Sequence, residues 1–199
     1  MSSINSEVLL QTLQQQVKAF QATVTQEFSH LPAPILLASP AYGKWSVAQC
    51  LEHLNSYGRY YIPVLEKALQ KAEQLHSSPA KDFKGSWIGN YFTNLMQPRE
   101  NGQLRSRMKS PKDHQPPVKL DSDLVIRTFL QQQQAIDALL QRAKKVNIQT
   151  VKVPISISRW IKLSAGDTFR FLIAHEQRHL LQASQALAGM TAELAIIGR

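Results

Sequence analysis

The sequence predicts an all-α protein, a four-helix bundle with a long crossover loop between helices 2 and 3. Three observations carry that expectation. Four stretches repeat their apolar residues with the period of a helix. Strand-like alternation is nearly absent. One segment rich in Pro and Gly, residues 76–120, separates the second long stretch from the third, and four long helices with one long connection describe a bundle. The 199 residues fit a single domain over 1–199, and a hydrophobic content of 43% is enough for a buried core. Global disorder needs far fewer apolar residues.

The first helix is expected from Ile4 to His30, with Leu10, Leu13, Val17, Phe20, Val24 and Phe28 on one face. Pro32 and Pro34 end it, because proline cannot continue the backbone ladder. The second starts after Ser46, whose hydroxyl is placed to accept from free N–H groups of the first turn. Val47, Leu51, Leu54, Gly58, Tyr61 and Leu65 line one face, and the helix runs to about Leu75. Pro63 lies inside it, which predicts a kink or local break.

Residues 76–120 hold Pro79, Pro98, Pro111, Pro116 and Pro117, with a short helix expected over Trp87–Met96. The rest reads as a crossover loop, and loops of this length are usually functional or mobile. The third helix begins near Asp121 or Ser122, with Val125, Phe129, Ile136, Leu139 and Ala143 as its stripe. Residues 147–158 lose the helical period. Pro154 argues against a central strand, so an extended connector or a small edge hairpin is expected. The last helix begins near Ser164, where Ser164 and Asp167 have capping-box-like spacing, and Gly189 is a natural stop.

Net charge is +9, but it is unevenly spread: 0 over residues 1–80, +5 over 81–119 and +4 over 120–199. Lys81, Lys84, Arg99, Arg105, Arg107, Lys109, Lys112 and Lys119 make the central segment basic. A solvated basic loop explains this better than a nucleic-acid surface, because no helix-turn-helix, zinc finger or aromatic RNA-binding signature accompanies the charge. No specific nucleic-acid partner is expected. Nor is a membrane partner, since no apolar run reaches the roughly 20 residues a bilayer requires. The polar, Gln-rich start lacks the features of a secretory signal, so a soluble, cytoplasmic protein is expected. The single cysteine, Cys50, excludes an internal disulfide framework and a Cys-rich zinc module.

The chemistry concentrates in His175-Glu176-Gln177-Arg178-His179. Histidines at i and i+4 share a helical face and can reach one metal ion. The alternative is a pair that is merely hydrogen-bonded or solvated. The string is also H-E-x-x-H, the zinc metalloprotease motif. That reading fails on context: only 20 residues follow His179, Glu193 is their one acid, and no substrate-binding sheet is expected upstream. His53, in the middle of the second helix, is the better third ligand, although alone it would read as a satisfied core histidine. Three neutral imidazoles leave coordination positions open on zinc, where water can be acidified toward about pKa 7. The same open position can hold a thiol as thiolate.

Glu176 is a candidate general base, but it sits about 100° around the helix from His175, and a solvated surface Glu is an equal reading. Gln182 is a candidate partner for a ligand-bound water. Cys50 reads as a small core residue. Trp87, Tyr91 and Phe92 are placed to cap the site's mouth or to cover the bundle end.

Two stretches combine into a resemblance. Residues 44–54, K-W-S-V-A-Q-C-L-E-H-L, resemble the helix-two signature of the DinB-like (DinB/YfiT-like) superfamily, K-W-S-x-x-x-x-L-x-H-L. His175-x-x-x-His179-Leu180-x-Gln182 resembles its last-helix signature. Lys109-Ser110-Pro111-Lys112, followed by Pro116, is similar to its long-loop pattern. The resemblance implies a four-helix bundle with a three-histidine divalent-metal site at His53, His175 and His179, usually for zinc or nickel. It implies a metal-dependent hydrolase or a thiol-dependent S-transferase using bacillithiol, mycothiol or glutathione. A small-molecule substrate and a homodimer are the partners to expect. The basic insertion is the least family-like part.

Two other readings compete with an enzyme: a non-catalytic metal- or ligand-binding bundle, and a nucleic-acid module resting on charge alone. The histidines separate the enzyme from the nucleic-acid module. A metal site by itself does not specify a reaction, so enzyme and binding bundle both remain open at this stage.

Overall fold

The computed structural model describes residues 3–99, 101–103 and 109–197, with side chains to residue 190. The described chain is mainly helical. Six α-helices appear, four of them long: α1 (Ser6–Thr23), α2 (Ala33–Leu37), α3 (Val47–Gln74), α4 (Trp87–Met96), α5 (Ser122–Ala143) and α6 (Ala165–Ile197). Two antiparallel strand pairs accompany them. In the first, β1 (Ile4–Asn5) pairs with β2 (Asp82–Phe83). In the second, β3 (Lys152–Ile155) pairs with β4 (Ser158–Ser164).

The helix starts follow their capping chemistry. Ser46 Oγ accepts from Gln49 N–H at 3.1 Å, and Gln49 Oε1 accepts from Ser46 N–H at 3.0 Å, a closed capping box that fixes where α3 begins. Asp121 accepts from Leu124 N–H at 3.0 Å to open α5. Ser164 Oγ accepts from Asp167 N–H at 3.0 Å at the start of α6. The first turn of α3, with its Lys44-Trp45 approach, is thereby held in register with His53 two turns later.

Four expectations need correction. The first helix does not begin at Ile4, because Ile4 and Asn5 pair with the crossover segment and Asn5 caps α1 instead. It also does not stay α-helical to His30. Val24–Phe28 form one π turn, in which Ser29 N–H donates to Val24 O at 2.9 Å. Pro63 does not break α3: it removes one donor, while its neighbours Tyr61 and Leu65 are fully buried and hold both halves of the helix. Gly189 does not stop α6, which continues to Ile197. A glycine ends a helix by turning left-handed, and among the described glycines only Gly43 and Gly102 have positive φ.

The core joins Leu10, Val17 and Phe28 from the first helical segment to Leu51 and Leu65 of α3, Phe129 and Ile136 of α5, and Phe169 and Leu172 of α6. α3 is the central element, packed on both α5 and α6, while α4 lies on α6. The β3–β4 hairpin is bound to α3 by two tyrosines: Tyr60 Oη donates to Ile155 O at 3.1 Å, and Ser156 N–H donates to Tyr61 Oη at 3.2 Å. No described helix is long and apolar enough to cross a membrane.

α4 meets α6 where Gly89 faces Asp167. That carboxylate is fully buried and accepts from Ser86 N–H at 3.1 Å and Ser164 Oγ at 2.9 Å. A Cβ on Gly89 would lie 2.2 Å from Asp167 Cγ. Gly89→Ala is therefore expected to destabilise the fold by about 1–3 kcal/mol through overpacking. Urea denaturation measures this, and an unchanged midpoint would show that α4 is free to move off α6.

Candidate metal centre

Each histidine of the site reaches it from a helix. His53 comes from the middle of α3, and His175 and His179 from successive turns of α6. The structure brings all three together. One ring nitrogen from each lies within 4.8 Å of the others, and all three residues are buried. His53 Nε2 and His175 Nε2 are 3.1 Å apart. Two nitrogens bound to one tetrahedral zinc at its usual bond length lie about 3.3 Å apart, so the observed separation is close to that of ligands sharing an ion.

The surrounding bonds fix which nitrogen faces inward. His53 Nδ1 is 2.7 Å from the backbone carbonyl of His114, which can only accept, so Nδ1 carries the proton and Nε2 keeps its lone pair. His179 Nδ1 lies 3.1 Å from Gln182 Oε1, which imposes the same tautomer on His179. This is how metal-binding imidazoles are usually oriented by their second partners. Among the described residues, buried His175 Nδ1 has no hydrogen-bond partner. The donor set is thus three imidazoles, two of them with Nε2 left as an acceptor and one nitrogen of each within 4.8 Å of the others, which fits a divalent ion.

Burial also sets the charge state. It pushes His53 down from its ordinary 6.5 to about 4. His175 and His179 fall well below the ordinary value, by burial first and then by the repulsion of neighbouring histidines and Arg178. All three are neutral at physiological pH, as ligation requires. Aromatic rings complete the wall. Trp45 packs on His53 at 4.9 Å and on His179 at 5.8 Å between centroids. Tyr57 contacts His175 at 4.3 Å, and Phe171 stacks on it at 5.8 Å. The histidines open into a cavity of about 1030 Å³.

The remaining candidates have different placements. Gln182 lines the cavity and bonds His179. Glu176 is neither solvated nor in the cavity wall. It is buried against α5, where Gln133 Nε2 donates to its Oε1 at 2.8 Å, and burial pushes its carboxyl up to about 8. Cys50 is fully buried outside the cluster, its thiol pushed up to about 12 by burial. Phe92 lines the cavity, whereas Trp87 and Tyr91 stack on each other at the surface. Of the basic segment, Lys81, Lys84, Arg99, Lys109, Lys112 and Lys119 are exposed, and Lys109 also lines the cavity. Arg105 and Arg107 lie outside the described residues.

His114 was not anticipated as part of the site. It sits in a short 3₁₀ turn of the crossover (Lys112–His114), stacks on Tyr57 at 3.9 Å and bonds Ser56 Oγ through Nδ1 at 2.9 Å. Its carbonyl is the acceptor for His53. The nearby Ser110-Pro111 of the loop pattern was the available signal: Ser110 Oγ lies 3.4 Å from His53 Nδ1.

Among known families, residues 16–183 match the family model described as the DinB superfamily. No curated protein and no solved structure matches the chain.

The depressed histidine pKa values have a defined consequence for stability. Between about pH 6.5 and 4 the unfolded chain protonates a residue such as His53 while the folded chain does not. The unfolded state then binds more protons, so stability falls as pH drops through that window and is fully present above it. For His53 the loss is on the order of 3 kcal/mol by pH 4. Glu176, whose folded carboxyl is pushed up to about 8, works in the opposite direction over the same range. Urea midpoints of Glu176→Gln in metal-free buffer at pH 7.5 and pH 5 therefore check the sign, and a higher midpoint at pH 5 would contradict it.

Proposed function

Because the chain belongs to the DinB superfamily, we propose that it is a metal-dependent enzyme acting on a small-molecule substrate, with His53, His175 and His179 as the ligands of one divalent ion, zinc or nickel. The observation that carries this reading is the pair of fixed tautomers. The His114 carbonyl and Gln182 each accept the Nδ1–H of one imidazole, which leaves Nε2 of His53 and of His179 as an acceptor within a buried cluster. A bound ion would supply Lewis acidity and an open position suited to activating water or to holding a thiol as thiolate.

The chain's own residues determine how that position is used. Trp45, Tyr57 and Phe171 pack on the imidazoles and line the cavity, which has room for a ligand of substantial size. Glu176 points to Gln133, and no carboxylate appears among the described lining residues. Hydrolysis benefits from a general base beside the water, whereas transfer from a thiolate already held by the ion does not. This favours thiol-dependent S-transfer over hydrolysis. Gln182 acts by orienting His179 rather than by touching substrate.

Two outcomes are expected. Elemental analysis and calorimetry find one zinc or nickel ion per chain, and His53→Ala, His175→Ala or His179→Ala each weaken it by more than about 100-fold. A protein that binds no divalent ion would sink the proposal. Incubation of the loaded protein with glutathione or bacillithiol and an electrophilic aryl halide gives metal-dependent loss of free thiol. Ester hydrolysis without thiol consumption would return the hydrolase reading to first place.

Gln182→Leu is expected to weaken metal binding by about 10–100-fold, since the His179 tautomer is no longer fixed. Competition with a chromogenic chelator measures it. An unchanged affinity would mean that Gln182 has no orienting role.

A further inference from the structure

We propose that the cavity beside the three histidines selects small molecules bearing an anionic group, and that Arg178 is the residue that binds that group. The first observation is the composition of the wall. The described lining residues include three cations, Lys44, Lys109 and Arg178, and no Asp or Glu. A concave site lined by one sign of charge concentrates ligands of the opposite sign.

The second observation is where the cations sit. Lys44 and Lys109 are exposed at the mouth, whereas Arg178 is buried, only 5% exposed, next to His179 on α6. The guanidinium stays charged despite this burial. A planar guanidinium binds an oxyanion through two parallel N–H···O bonds, which gives orientation as well as affinity. The lysines at the mouth would draw the anion in, and Arg178 would hold it beside the metal position.

The rest of the wall describes the rest of the ligand. Tyr61, Phe92, Leu95, Met96 and Phe171 give the cavity an apolar side. The ligand class is therefore amphipathic: one oxyanion and an apolar body, in a volume of about 1030 Å³. A polyanionic macromolecule does not fit, because the decisive cation is buried in the wall rather than displayed on the surface. The inference rests on the proposed function in naming the substrate class of that same site.

The test uses metal-free full-length protein and three probes that share a phenyl ring: 3-phenylpropionate, phenyl phosphate and the neutral 3-phenylpropionamide. Calorimetry is expected to show at least one anion binding about tenfold or more tighter than the amide. The tighter of the two anions identifies the head group as carboxylate or phosphate monoester. Arg178→Gln should abolish the preference while leaving amide binding in place, and Arg178→Lys should retain part of it. Zinc affinity of Arg178→Gln, measured separately, should not fall, since a positive charge has been removed from beside the ion. Equal binding of anions and amide by the unmodified protein overturns the proposal, and this comparison decides even if a variant fails to fold. An undiminished preference in Arg178→Gln overturns the role of Arg178. Failure of the unmodified protein to bind zinc, with the anion preference intact, counts against the metal reading alone.

Discussion

The organising constraint in this molecule is the burial of three neutral imidazoles against one another. Each ring left to itself would take a proton or turn outward. The fold prevents both. Burial makes protonation unfavourable, and the His114 carbonyl and Gln182 take up the Nδ1 protons of His53 and His179. Trp45 and Tyr57 then close on the rings from the α3 side. The capping box at Ser46 and the burial around Pro63 are needed for the same reason, because α3 must stay rigid for His53 to keep its position.

The division of labour between helices and connections follows from this. The helices supply the three histidines, since i,i+4 spacing on a rigid element gives a reproducible placement. The connections supply what tunes them: the 3₁₀ turn at 112–114 orients His53, and the β3–β4 hairpin, latched by Tyr60 and Tyr61, forms one wall of the cavity. The long crossover is thus part of the centre, although most of its described charge stays in solvent.

Much of this was legible in the sequence because it is local. Periodicity located the four long helices, and the Trp87–Met96 helix and the Ser46, Asp121 and Ser164 starts follow from propensity and capping within a few residues. The His175–His179 pair is local too. His53 stands out only through the family-like pattern of residues 44–54, since a lone histidine at that position reads as a core residue. What escaped notice depends on tertiary contact. Pairing of Ile4–Asn5 with Asp82–Phe83 has no local signature. The role of His114 lies in its backbone carbonyl, which every residue type possesses. Glu176 reads as a surface residue until α5 covers it with Gln133. Gly189 carries a stop signal that the chain does not use, because its backbone stays right-handed.

The span of the central contacts has a further consequence, for the order of assembly. His53 is separated from His114 by 61 residues and from His175 by 122. Only His175 and His179 come together when a single helix forms. Contacts this distant carry a loop-closure cost that must be met before they contribute, so they form late. An ion meeting a partly folded chain would therefore find only the two histidines on α6, not all three. In a zinc finger the ligands are close in sequence, and the ion drives folding. Here the three histidines come together only when α3 docks on α6, so under the proposed function metal retention during refolding would mark the completion of that interface.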